Sequence, residues 1–355
     1  MSWDDIQPDT VESLRRIQVL ARHKYDTYER FHPGRKFIES LADWLQQFSP
    51  GDERAVALSF VERHLIFISN KEMEQLVGIL YQKVVRPIIR EYVSRKCSLP
   101  VYAVSKIEAL PEFSRARRSS LFLGLSDGAR MDEFRRSNRD LSNEQVHSTY
   151  EVAEPRLIEM RRKLLSDQAV ETRDPIQFEI VFLLDDFSGS GKSILRKGNG
   201  EFKGRLQRFS DLLSVDSNAD SSAFAGPDTQ IHICLYVATQ RAINELSRLI
   251  EDYTPYAAWT TPPTVRAVQV IDDTHRVRPC RHAGFCDLLD KYYDEGIEDS
   301  AKRVGGTPTK YGFAEGSLPL VLSHNCPNNS VSLLWAPNPM KALFPRFERH
   351  TEVRI

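Results

Sequence analysis

The sequence predicts an α/β fold: a mainly parallel sheet with helices on both faces, preceded by a helical N-terminal module. From residue 100 onward, short apolar runs at Val101–Val104, Leu121–Leu125, Ile180–Leu184, Ile231–Val237 and Val265–Ile271 alternate with helix-like stretches. That rhythm is the pattern of strands joined by crossover helices. The run Ile180–Leu184 is apolar at every position, as a strand buried on both faces requires. Before residue 100 the apolar residues recur every three to four positions, the period of a helix with one buried face. The chain's 355 residues exceed what one small core organises, so a large α/β domain plus a smaller module is expected. The boundaries read from the pattern are 1–99 for a helical accessory module, 100–336 for the α/β domain, and 337–355 for a tail that docks or frays.

Taken in order, Leu14, Ile17, Leu20 and Ala21 mark a first helix, and Phe37, Ile38, Leu41, Trp44, Leu45 and Phe48 a second. Pro33-Gly34 breaks the chain between them. The turn Ser49-Pro50-Gly51-Asp52 opens a third helix, expected over 55–68. Asn70 is placed to cap a fourth, carrying Met73, Leu76, Val77 and Leu80, whose continuation towards Cys97 is kinked by Pro87. Residues 214–229 are rich in serine, aspartate and alanine and read as a loop. The glycine-rich stretch 304–316, positioned to close over a ligand, precedes two last apolar runs, Leu318–Leu322 and Val331–Trp335.

Composition excludes several classes. Lysine plus arginine number 48 and aspartate plus glutamate 49, a net charge of −1, so no global field draws the protein to nucleic acid or to a membrane surface. Arg115, Arg117, Arg118, Arg135, Arg136 and Arg139 form a local basic neighbourhood, but aromatic residues are not interleaved with it, and nucleic acid is not an expected partner. No stretch approaches the length of a membrane span, and the polar, acidic start Met-Ser-Trp-Asp-Asp is unlike a signal peptide. A cytoplasmic protein is expected. Five scattered cysteines argue for reduced thiols rather than a disulfide framework. Cys280, His282 and Cys286 cluster, yet their spacing is wider than zinc pairs use, so no protein-held metal is assigned.

The segment that carries chemistry is Leu183-Leu-Asp-Asp-Phe-Ser-Gly-Ser-Gly-Lys-Ser193. Asp185 and Asp186 fall at the carboxyl end of a buried strand, where ligands of open α/β sheets sit, and paired carboxylates there accept bonds from vicinal sugar hydroxyls. Phe187, Ser188, Gly189, Ser190, Gly191, Lys192 and Ser193 follow as a loop. Its glycines permit tight turns, its serines add hydroxyls, and a helix beginning near Gly191 would aim amides at a phosphate. A nucleotide-binding loop is the rival reading, since Gly191-Lys192-Ser193 matches the end of G-x-x-x-x-G-K-[ST]. Its first glycine is replaced by Asp186, a carboxylate where bare backbone is needed against phosphate. An ATP-binding kinase or ATPase using Lys192 therefore stands as an alternative, as does a non-catalytic nucleotide-sensing regulator. Two further segments hold polar groups after apolar runs. One is Ser126-Asp127-Gly128-Ala129-Arg130. The other is His324-Asn325-Cys326-Pro327-Asn328-Asn329-Ser330, where His324 is a candidate base and Asn325, Asn328 and Asn329 are candidate ligand contacts.

Together these three segments and Leu333-Leu334-Trp335 resemble the phosphoribosyltransferase-like effector family of bacterial conflict systems, including those encoded beside retrons and other anti-phage genes. The resemblance covers roughly residues 100–336. It implies a sheet of phosphoribosyltransferase type, with Asp185 and Asp186 on the ribose hydroxyls and Ser188 to Gly191 on the 5′-phosphate. It also implies that Ser126, Asp127, Gly128 and Arg130 hold pyrophosphate, and that Mg²⁺ is bound through the ligand. The activity implied is that of a glycosyl transferase or hydrolase, a toxin-like effector acting on a phosphoribosyl donor or related nucleotide metabolite. Its partners would be proteins of the same defence system or further copies of the chain.

Overall fold

The structure is a computed structural model that describes residues 8–166, 177–217, 223–298, 304–337 and 339–346. The chain divides into two compact units, residues 1–73 with 272–355, and residues 74–271. These limits differ from the boundaries expected from the sequence. The first helices do not stand alone as a module; they share a core with the last quarter of the chain.

In the first unit, helices α1 (Pro8–His23), α2 (Phe37–Leu45) and α3 (Asp52–Arg63) form where the apolar spacing and the Pro33-Gly34 break place them. The third helix stops at Arg63, and Ile66–Ile68 becomes strand β1, a run of β-branched and aromatic residues that pairs in parallel with Leu320–Leu322 (β9). The expected helix over 55–68 is thus a helix followed by a strand. Of the two last apolar runs, the first holds β9, whereas in the second Ser332–Trp335 forms a single helical turn. Residues 339–346 dock. Ser40 Oγ donates to Leu343 O at 2.7 Å, Tyr28 Oη to Pro345 O at 2.7 Å, and Phe344 is fully buried among Tyr25, Phe37 and Phe67. The rest of the expected tail, 347–355, lies outside the described residues. Helix α4 (Asn70–Leu80) is capped by Ser69 rather than by Asn70: Ser69 Oγ accepts from the Glu72 amide, and Glu72 accepts from the Ser69 amide at 2.8 Å, a reciprocal capping box.

The second unit holds the five-stranded parallel sheet with helices packed against it. Its strands are β2 (Ser120–Gly124), β3 (Val146–His147), β4 (Ile180–Ser188), β7 (Gln230–Thr239) and β8 (Thr264–Ile271), in the order β3-β2-β4-β7-β8. Val101–Val104 is not among them; it is a turn leading into a short helix, Val104–Glu108, and Val101 and Tyr102 are exposed. Ahead of α5 (Arg86–Lys96), residues Tyr81–Val85 form a π-helical turn instead of a simple kink. Pro87 cannot donate a backbone hydrogen bond, and a local widening of the ladder accommodates that loss.

Period-two alternation sorts the central strand. Val181 and Leu183 join the core with Leu206, Phe209 and Leu213 of α10 (Arg205–Ser217) and Leu246, Leu249 and Ile250 of α11 (Gln240–Tyr253). Phe182 faces the other way and stacks on Phe122 of β2 at 5.0 Å. The two aspartates that follow inherit opposite faces. Beyond β4, residues 191–195 turn into a two-stranded antiparallel hairpin, β5 (Arg196–Gly198) and β6 (Glu201–Lys203). No helix begins at Gly191; the next is α10. Ser214 to Ser217 belong to its last turn, so the expected loop is shorter, and 218–222 lie outside the described residues.

Candidate functional site

β4 runs four residues beyond its apolar stretch, because Asp185, Phe187 and Ser188 continue the register against Leu235, Val237 and Ala238 of β7. The acidic pair is therefore held by the sheet ladder rather than by a loop. Asp185 faces α10. Its side chain is 3% exposed and meets Arg205 Nη1 at 2.9 Å, while Ser126 Oγ donates a short hydrogen bond to its Oδ1. Asp186, more exposed, lies on the opposite face, and its Oδ1 accepts the Phe187 amide at 2.8 Å.

The loop after β2 straddles this strand end. Leu125 N donates to Leu184 O at 2.8 Å, tying the loop to β4. Ser126 reaches Asp185, and a Cβ on Gly128 would stand 2.5 Å from Asp186 Oδ2. Any side chain there would have to push the Asp186 carboxylate aside. Ser126 Oγ also accepts the Gly128 amide, Ala129 O accepts from Tyr236 Oη at 2.8 Å, and Arg130 has a left-handed backbone (φ 49°). Such a conformation costs a non-glycine residue about 1 kcal/mol or more and is a recurrent mark of functional loops. Arg130 pairs with Glu133 at 3.2 Å, and Asp127 is exposed.

The loop after β4 is pinned from three sides. Ser188 Oγ, buried, accepts the Gly191 amide, and Gly189 O accepts from Thr239 Oγ1, the residue that N-caps α11. Gly191 has φ +74° and packs against Leu246, where a Cβ would come within 2.5 Å of Cγ. Ile194 O accepts the Leu206 amide across the base of the hairpin. Ser190 and Lys192 are half-buried and Ser193 is exposed. Lys192 adds a minor positive field at Glu245 of α11, a carboxylate held below its usual range chiefly by its hydrogen bond to Arg248.

Asp185 titrates abnormally. Burial, and then the neighbouring Asp186, raise its pKa to about 7 against the counter-pull of Arg205 and Ser126. Because the folded value exceeds the unfolded one, the folded state keeps a proton that the unfolded chain releases. Stability from this group is fully present below about pH 4 and is lost as pH rises towards 7. Asp185→Asn is expected to remove that slope. Denaturant unfolding at pH 5 and pH 8 should show wild type losing on the order of 1–3 kcal/mol more than the variant between the two. Equal slopes in both proteins would mean that Asp185 is ionised throughout.

The structure thus brings Ser126, Gly128, Asp185, Asp186 and the 188–193 loop together at one sheet edge. It adds Arg205, which none of the sequence motifs announces. Arg205 follows Gly204, whose φ is +138° and whose backbone comes so close to Ile194 O that a Cβ there would stand 2.3 Å from it. His324, Asn325, Asn328 and Asn329 belong to the other unit. There Asn328 O accepts the Phe313 amide at 2.6 Å, and Asn329 Nδ2 donates to Phe313 O at 3.0 Å. These bonds organise the glycine-containing turn at 312–318. His324 O accepts from Arg30 Nε at 2.8 Å, and the Asn325 amide donates to Leu322 O. Cys326 is fully buried, and that burial pushes its thiol up to about 12. Among the described residues there is no cluster of three or more potential metal ligands, Cys280, His282 and Cys286 included. Part of the basic neighbourhood is neutralised locally, as Arg118 pairs with Glu144, and Arg135 and Arg136 with Asp132.

The PRTase-CE family matches residues 41–346. The chain belongs to this phosphoribosyltransferase-like family. No curated protein and no solved structure matches it. Among the described residues no helix is long and apolar enough to cross a membrane.

Proposed function

We propose that the chain binds the phosphoribosyl part of a phosphoribosyl donor, or of a related nucleotide metabolite, at the end of β4 and transfers or hydrolyses it. The observation that supports this most is the packing of the β2 loop onto the acidic pair in a chain of this family, Ser126 on Asp185 and Gly128 against Asp186. Asp186 and Asp185 accept ribose hydroxyls, holding the ring while positive character develops at its anomeric carbon. Ser188 to Gly191 face the 5′-phosphate, and the Ser126 to Arg130 loop faces the departing pyrophosphate, where the Arg130 guanidinium fits phosphate oxygens. A divalent cation suits the pair, whose mutual repulsion contributes to the raised pKa of Asp185. Mg²⁺ held through the ligand beside Asp185 and Asp186 would neutralise pyrophosphate charge. The resemblance of the three motifs extends the reading to an effector of bacterial anti-phage defence, restrained by protein partners.

The nucleotide-loop alternative loses support from the course of the chain after Ser193. A P-loop leads directly into a helix whose N-terminus faces phosphate, whereas here a hairpin intervenes before α10. Lys192→Ala is accordingly expected to weaken ribose 5-phosphate binding by only about 1 kcal/mol, the effect of a nearby but not enclosing charge. Calorimetric titration of parent and variant tests this. Complete loss of binding would restore the lysine to a central role.

A further inference from the structure

The large apolar side chains left exposed among the described residues are scattered singly along the chain, except at one place. Val101 is 51% exposed, Tyr102 82% and Val104 37%, with Pro100 exposed beside them and Leu99 half-buried. Scattered exposure needs no explanation, but consecutive exposure on one turn does. The turn is firmly held. The Leu99 amide donates to Ser94 O at 2.9 Å and Leu99 O accepts from Ser94 Oγ at 2.5 Å, Ser98 reverses the chain with φ at +53°, and the Ala103 amide closes on Pro100 O at 2.9 Å. Fully buried Ile107 anchors the short helix that follows. The turn leaves the end of α5, where Lys96 pairs with Glu179, just before β4, and Arg95 bonds Gln230, the first residue of β7. It therefore lies at the amino-terminal end of the sheet, away from the carboxylates at the end of β4.

We propose that residues 99–106 are a membrane-docking turn, which enters the headgroup boundary of an anionic lipid bilayer. Valine and tyrosine side chains suit that depth, tyrosine because its ring is apolar while its hydroxyl stays wet. The rim is basic. Arg95, Lys96 and Lys106 are exposed, and no aspartate or glutamate occurs between 95 and 106. The nearest acids in sequence on either side are already paired, Glu91 with Arg266 and Glu108 with Arg86 and Arg90. Cations around an apolar protrusion complement acidic headgroups, and each strengthens binding to such a surface by roughly fivefold. The net charge of −1 gives no general attraction to that surface, so the contact is local. A second copy of the chain is a poorer occupant, because about a two-fold axis the same cations would face one another. A protein partner needs roughly 20–30 residues a side for a stable interface, and here the apolar part is one turn. Docking there does not depend on the phosphoribosyl reading, and it leaves the carboxylate end of the sheet facing solvent.

The test is co-sedimentation of the full chain with vesicles of phosphatidylcholine alone and of phosphatidylcholine mixed equally with phosphatidylglycerol. The parent should partition onto the mixed vesicles at least tenfold more strongly than onto the neutral ones, and should lose that preference in about 1 M salt. Val101→Ser with Tyr102→Ser should reduce partition at least tenfold, and so should Arg95→Glu with Lys106→Glu. All four positions are exposed, so both variants should keep the parent's thermal unfolding. Should a double variant unfold, Tyr102→Ser alone is expected to reduce partition at least threefold. Absence of binding to the mixed vesicles overturns the proposal and leaves the turn to a protein partner. Binding that survives the loss of Val101 and Tyr102 overturns it equally, as adhesion by charge alone.

Discussion

Asp186→Asn should leave the protein folded and weaken ribose 5-phosphate binding by roughly 1.5–3 kcal/mol, about 10- to 150-fold. Asp186 is the more exposed of the pair, and its Oδ1 accepts the neighbouring Phe187 amide at 2.8 Å. Asparagine keeps an oxygen for that bond, so the strand end has no reason to move. What it loses is the charge that strengthens its share of the bonds to the ribose hydroxyls. Asp185→Asn should act differently, because Asp185 also anchors Arg205 and Ser126. Its signature is the altered pH slope of stability. Unchanged affinity in a folded Asp186→Asn protein would remove Asp186 from the ribose contact.

Gly204→Ala should destabilise the second unit by roughly 2–4 kcal/mol, the range for strain combined with overpacking against backbone. A methyl group at residue 204 would stand 2.3 Å from Ile194 O and 2.9 Å from its carbonyl carbon, and the residue would have to hold φ at +138°. The obstacle is main chain, not the tip of a flexible side chain, so it cannot swing aside. Relaxation must separate residues 194–195 from 204–206 and draw Arg205 away from Asp185. Denaturant unfolding compared with the exposed hairpin glycine variant Gly198→Ala, where a Cβ meets nothing within 4 Å, isolates the effect. Equal stabilities would show that the hairpin base is not a fixed support of the site.

Much of the site edge is legible in the sequence because its signals are local. Five apolar residues followed by two carboxylates announce a buried strand with acids at its end, and β4 fulfils that, although the ladder with β7 carries the strand on to Ser188. The Ser126 loop is legible for the same reason, being a polar turn directly after an apolar run. The helix expected at Gly191 fails because serine, glycine and lysine suit a turn as readily as a helix start. The hairpin that replaces it is only three residues per strand and carries no apolar alternation. Val101–Val104 and Val331–Trp335 resemble strands in the sequence for a related reason, since short apolar runs do not distinguish strand from helix. The unit boundaries depend on β1 meeting β9 and on Phe344 entering the aromatic core, contacts some 250 to 300 residues apart that no local pattern encodes. Arg205 is equally hidden, because its partner lies in the strand before the hairpin.

The most direct test of the phosphoribosyl reading is calorimetric titration of the intact chain with phosphoribosyl pyrophosphate and Mg²⁺, beside Mg-ATP. Saturable binding of phosphoribosyl pyrophosphate, weakened at least tenfold in Asp186→Asn and only slightly in Lys192→Ala, is the predicted result. Tight Mg-ATP binding abolished by Lys192→Ala, with no binding of phosphoribosyl pyrophosphate, would contradict it.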